Sequence, residues 1–146
     1  MSETPRHSVS VTGVTVDESG RALLVQRRDN GRWEPPGGVL ELDETIEAGA
    51  EREVLEETGV RVQIEQLTGV YKNMRLGVVA LVFRARAIEG SPTPTDEAQD
   101  ASWLTREQIV ARVPEVYAVR VLDALDAPPQ PRIGHHDGVK WQDPAT

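Results

Sequence analysis

The chain contains no cysteine, so no disulfide framework can staple it and no thiolate can hold a metal. Long apolar runs are missing too. The longest, Val78 to Phe83, is six residues, against the roughly 20 that a membrane-spanning helix needs. No basic region followed by an apolar stretch opens the chain, which leads us to expect a cytoplasmic protein without a membrane partner. Positive charge is scarce: 16 lysines and arginines stand against 24 aspartates and glutamates, a net −8. Long nucleic acids are bound through clustered cations facing phosphates, and this balance argues against them. Small anionic substrates remain open, because they can enter on a metal ion. At 146 residues the chain is long enough to bury one core unaided.

What the chain does have is negative charge in one place. Residues 41–57 carry eight carboxylates and one arginine, a local net of −7 in a chain whose total is −8. The segment follows Pro36-Gly37-Gly38 and stops at Thr58-Gly59. Asp43 or Thr45 can cap a first turn, no proline interrupts 45–58, and Gly59 suits the left-handed residue after a helix end, so a helix is expected there. At about 100° per residue, Glu53, Glu56 and Glu57 point into one arc, with Gly49 and Ala50 a turn earlier near the same face.

That arrangement costs stability. Glu53 repels Glu56 and Glu57 at i,i+3 and i,i+4, each by roughly 0.2–0.5 kcal/mol. All three sit at the helix end whose dipole favours cations, by about 0.3–1 kcal/mol per charge. A solvated face would mix in lysine; a divalent cation would turn repulsion into coordination. Ligands that are all oxygen point to magnesium or manganese. Gly37-Gly38 suits both a tight turn and a backbone that approaches a metal or phosphate closely.

These residues form a longer pattern. Gly38, five residues, Glu44, seven residues, then Arg52-Glu53-Val54-Leu55-Glu56-Glu57-Thr58-Gly59-Val60 resembles the signature of the Nudix hydrolases at every fixed position. Trp33 with Pro36-Gly37-Gly38 resembles the family's lead-in, Leu23 to Arg28 its second strand, and Glu97 with Trp103-Leu104 its downstream acidic residue and strand. The likeness runs from about 8 to 127. Pro35 departs from it, since the family has an apolar residue there, and proline weakens the short strand expected before the glycines.

The resemblance implies a metal-dependent pyrophosphohydrolase that cleaves a nucleoside diphosphate linked to another moiety. Glu53, Glu56 and Glu57, with Glu97 and a carbonyl of Gly37 or Gly38, would hold Mg²⁺ or Mn²⁺. Glu53, Glu56 or Glu97 would assist an attacking water, and Arg52 would lock Glu44 or a neighbouring carboxylate. Arg27, Arg28, Arg32 and Trp33 are the candidates for touching substrate, Trp33 by stacking a base, although packing is its commoner use. Two other readings compete: an idle nucleotide-binding module on the same fold, and an acidic protein-interaction helix. Homodimers are common on this fold.

The rest of the chain suits an α/β class, a Nudix-type α/β/α sandwich with a mixed central sheet. Strands are expected over 9–16, 21–27, 60–71 and 76–87. The loop at 90–95 leaves Glu97 near the surface. Thr105 and Gln108 form a capping box, and a last helix from about Pro114 to Leu125 should turn Val116, Val119, Leu122 and Leu125 to the core. Residues 1–127 then make a single domain, followed over 128–146 by a Pro-rich linker and a tail. His135-His136-Asp137 has metal-site residue types, but adjacent histidines on an extended chain do not aim at one ion. Trp141 is a candidate anchor for the tail, on the body or on a second subunit.

Overall fold

The computed structural model describes residues 3–142. In chain order the elements are β1 (Ser8–Thr15), β2 (Ala22–Arg27), β3 (Trp33–Glu34), β4 (Gly37–Val39), α1 (Ile46–Thr58), β5 (Arg61–Asn73), β6 (Val78–Glu89), β7 (Ala98–Leu104), α2 (Arg106–Arg112), α3 (Glu115–Asp126), β8 (Arg132–His136) and β9 (Trp141–Gln142). A six-stranded mixed sheet runs β4-β1-β6-β5-β8-β9, and a three-stranded sheet runs β3-β2-β7. β1 pairs with β6, and β5 with β8, in parallel; the long β5–β6 hairpin is antiparallel.

Period-two alternation puts apolar side chains on both faces of the strands, so helices must cover both. Leu23 and Val25 pack with Val54 of α1, Val62 and Ala85, while Ala22 and Leu24 pack with Val82, Ile109 of α2 and Val121 of α3. Each fully buried valine or leucine contributes about 1.5–3 kcal/mol relative to exposure. This is the expected α/β/α sandwich. Among the described residues no helix is long and apolar enough to cross a membrane.

The box helix is set by its ends. Of the two candidate caps, Thr45 is used: its hydroxyl accepts the Ala48 N–H at 3.3 Å. Gly59, at φ 77°, stops the helix and donates to the Leu55 carbonyl. Thr58 Oγ1 donates to the Val54 carbonyl and accepts the Val60 N–H, turning the chain directly into β5.

Several expectations change. Pro35 and Pro36 leave β3 only two residues, because neither nitrogen can donate to the ladder. The buried side of α3 is Val116, Ala118, Arg120, Val121, Asp123 and Ala124; Leu122 and Leu125 pack against the core as expected but stay half-buried, as does Val119. Asp123 joins the buried side because its carboxylate finds partners there: Tyr71 Oη donates to it at 2.6 Å, and Arg132 reaches its other oxygen at 3.2 Å. The largest difference lies beyond Asp126. The segment expected only as a linker and tail is built into the sheet: Arg132–His136 lies as β8 along the open edge of β5, and β9 closes back on it. An unpaired strand edge offers a row of backbone donors and acceptors, which β8 takes up. Trp141 anchors this segment edge-on to Tyr71 and His136, with ring centroids at 5.4 and 4.9 Å, and its indole N–H donates to the Glu115 carbonyl. His136 is buried against Arg120, which takes it out of any metal role with His135.

Candidate active site

β4 lies antiparallel on β1 with Gly37 opposite Thr12 and Gly38 opposite Val11, and α1 crosses it. Neither glycine has a positive φ, so the tight-turn reading fails and close approach is what requires them. A Cβ on Gly37 would stand 2.5 Å from Thr12 Oγ1 and 2.7 Å from the Val11 carbonyl oxygen. A Cβ on Gly38 would stand 2.5 Å from Glu53 Oε1. Gly38→Ala is therefore expected to push the Glu53 carboxylate aside. Steady-state kinetics should show a fall in kcat/KM of about 100-fold, the scale of a 1 Å misplacement.

The carboxylates divide. Glu57 is 8 % exposed, and its Oε2 accepts the Gly37 N–H at 2.7 Å. Glu53 is buried beside Gly38. Glu56 does not join them: its side chain is 59 % exposed and turns to Arg52. Among the described residues no three aspartate, glutamate or histidine side chains converge into a ready cage. Two carboxylates face the glycines, and the third stands at the rim.

Arg52 is the hub. It donates to both oxygens of Glu44 at 2.8 and 2.7 Å, to Glu53 at 3.0 Å, to Glu56 at 3.1 Å, and to the Val39 carbonyl at 3.4 Å. The guanidinium holds the Glu44 carboxyl down to about 2, with help from the Glu41 N–H. Glu57 behaves oppositely. Burial pushes its carboxyl up to about 8, opposed by the Gly37 N–H and assisted by the charges of Glu53, Glu34 and Glu97. Glu53 is also raised, by burial first, with Arg52 pulling against it.

Glu97 is exposed on the turn just before β7, its carbonyl held by the Arg28 N–H at 3.2 Å. With Glu57, Arg27, Arg28 and Asp96 it lines a cavity of about 350 Å³. Arg27 pairs with Asp29 at 2.7 Å and with Glu34 at 3.1 Å, and Arg28 Nε donates to the Thr95 carbonyl. Arg32 and Trp33 line neither cavity; Arg32 is exposed and Trp33 packs against the core. Glu34, Tyr117 and Arg120 were among the polar residues not anticipated; they line a second cavity of about 250 Å³ beside Gly37 and Gly38. One signal was readable for Arg120. It lies four residues after Val116, a position on the apolar stripe of α3 where a cation is out of place.

The glycine strand under the acidic helix thus borders one cavity, and Glu57 at the end of that helix reaches the other. A family model described as the NUDIX domain matches residues 6–124, and the chain belongs to the Nudix hydrolase family. A MutT-like protein of Streptomyces ambofaciens is 56% identical over 134 residues, covering 92% of this chain and 86% of that protein. An ADP-ribose pyrophosphatase of Methanocaldococcus jannaschii is 33% identical over 66% of this chain and 60% of its own length. Among solved structures, a NUDIX hydrolase from Nitrosomonas europaea superposes with a TM-score of 0.78 at 25% identity, covering 92% of this chain and 82% of that one.

Proposed function

We propose that this Nudix hydrolase is a divalent-cation-dependent pyrophosphohydrolase, cleaving the phosphoanhydride of a nucleoside diphosphate linked to another moiety. The observation that carries the reading is the close approach of the Glu53 and Glu57 carboxylates to the Gly37–Gly38 backbone, where a Cβ has no room. The donor set fits Mg²⁺ or Mn²⁺: it is all oxygen, carboxylate plus backbone carbonyl. Glu53, Glu57 and a rotated Glu56 would hold the ion. When bound, it supplies neutralisation of the phosphate charge and acidifies a coordinated water.

The chain's own groups do the rest. Arg52 keeps the glutamates aimed, and Arg28 and Arg27 face the phosphates across the larger cavity. The Glu97 carboxylate, which makes no hydrogen bond among the described residues, takes the proton of the attacking water. The water oxygen bonds to phosphorus as the bridging P–O bond breaks, and the electron pair leaves on the departing phosphate oxygen. Burial of Glu57 keeps bulk water off the inner side. The substrate is small and nucleotide-like, and the setting is the cytoplasm, with the chain as a homodimer.

A thermal-shift titration tests the ion. Millimolar Mg²⁺ or Mn²⁺ is expected to raise Tm by about 5 °C once the ion is near 100-fold over its Kd. No rise would favour the acidic interaction helix and overturn the proposal.

A further inference from the structure

The segment that closes the sheet carries a histidine whose two ring nitrogens both face donors. His136, the last residue of β8, is 2 % exposed. Its Nε2 stands 3.0 Å from Arg120 Nη2, and its Nδ1 faces the Gly138 N–H at 2.9 Å. A neutral imidazole has one acceptor nitrogen and satisfies one of these donors. An imidazolium has none. Protonation would set an N–H against a donor on both sides and put a second cation beside a buried guanidinium.

The surroundings are poorly fitted to take up that charge. On α3, Arg120 is itself buried, and among the described residues no carboxylate pairs with it. Asp123 of the same helix is taken by Tyr71 and Arg132. β5 brings Tyr71 and Asn73 to this face, while Lys72 and His135 alternate to the other. Arg75 lies alongside Gly138 and adds positive charge. Asp137 opposes these cations from an exposed position, with its Oδ1 accepting the Val139 and Lys140 N–H groups. Burial first, and then Arg120, lowers the His136 pKa from 6.5, with Asp137 pulling the other way.

What His136 holds is a tie between two walls of a cavity. β8 grips β5 along 69–73, and the His136 carbonyl accepts the Met74 N–H of the following turn at 2.7 Å. The same segment grips α3 through Arg132 on Asp123 and through the Trp141 indole on the Glu115 carbonyl at 3.2 Å. Tyr117 and Arg120 of α3, with Asn73 and Leu76 from the β5–β6 hairpin, line the cavity beside Gly37 and Gly38. β9 rests on β8 by two residue pairs, one of them Trp141 with His136.

We propose that β8 and β9 form a pH-sensitive strap, which ties α3 to the β5–β6 hairpin while His136 is neutral and lets go from β9 inward when the ring is protonated. The strap acts whatever the substrate of the enzyme is. The folded ring binds its proton more weakly than the unfolded one, so the strap is at full strength above pH 6.5 and weakens as pH falls through the folded value.

Hydrogen exchange of the full chain, corrected for the intrinsic effect of pH, tests this. Amides of 133–142 are expected to lose protection by about tenfold or more between pH 7.5 and pH 5, while those of β1 and β6 keep theirs. His136→Gln, which retains an acceptor and takes up no proton, should show equal protection at both pH values. Unchanged protection of the wild-type strap, a loss shared by β1 and β6, or a glutamine variant that loses the strap over the same interval overturns the proposal. Should the variant be loose at both pH values, NMR titration of the wild type decides. One midpoint for the His136 ring and the Trp141 indole N–H supports the strap, and two separate midpoints sink it.

Discussion

Replacing Arg52 by alanine is expected to lower kcat/KM by about 100-fold or more and Tm by several degrees, two losses from one side chain. The activity loss is a matter of aim. Arg52 is the only group in contact with Glu44, Glu53 and Glu56 at once among the described residues, at 2.7 to 3.1 Å. Without it, the carboxylates proposed to hold the ion are free to rotate apart under their own repulsion. The stability loss comes mainly from Glu53. Its carboxylate is buried, and burial already raises its pKa; removing Arg52 takes away its charged donor. An unsatisfied buried group of this kind costs about 1–3 kcal/mol. Arg52→Lys separates the contributions. The ammonium keeps the charge near Glu53 but cannot span both Glu44 oxygens and two further carboxylates, so Tm should recover more than kcat/KM. Full activity in Arg52→Ala, by steady-state kinetics at saturating Mg²⁺, would show that the hub is scaffolding alone.

The hub also shows how far the sequence could be read. Thr45, Gly59 and the absence of proline between them are local signals, and they place α1 to within a residue of its observed ends. Periodicity brings Glu53, Glu56 and Glu57 into one arc, but an arc does not say where a second strand will lie across it. β4 covers the side shared by the i,i+4 pair Glu53 and Glu57 and leaves Glu56 at the rim. The two glycines read equally well as a turn or as close approach; only the Thr12, Val11 and Glu53 atoms against them decide. β8 was the least legible element. Its residues are Arg132 to His136, with Ile133 76 % exposed, so no buried stripe marks it as a strand. It exists because β5 offers an edge about 60 residues earlier in the chain, a non-local pairing that local pattern cannot encode. Arg120 belongs with it. An arginine on an apolar stripe announces that something is unusual, yet its neighbours come from β5, α3 and β8 and meet only in the fold.

Glu57→Gln is expected to abolish most turnover, by about 100- to 1,000-fold, while leaving the metal-free fold intact and flattening its dependence on pH. The reason lies in the proton that Glu57 holds. Burial, with Glu53, Glu34 and Glu97 adding repulsion, moves its carboxyl from an ordinary 4.5 up to about 8, against the pull of the Gly37 N–H. Between those two values the folded state binds a proton that the unfolded state has released. Stability of the metal-free protein is therefore greatest below pH 4.5 as far as this group is concerned, falls as pH rises through the window, and levels off above 8. The full span amounts to about 5 kcal/mol as an upper bound, since each factor of ten in proton affinity is worth about 1.4 kcal/mol. Glutamine is the isostere of the protonated form, so the variant should match wild type near pH 5 and exceed it near pH 9. Denaturant titrations of both proteins at those two pH values, in the presence of a chelator, check the sign. Magnesium should invert the order. Coordination requires the carboxylate, so ion binding to the wild type near pH 7 must expel the Glu57 proton, and calorimetry in buffers of different ionisation enthalpy should count close to one proton released. The glutamine variant should release none from this position. If wild type and variant lose stability in parallel from pH 5 to 9, Glu57 is already ionised in the folded protein, and the buried carboxyl that organises the site beside Gly37 is solvated after all.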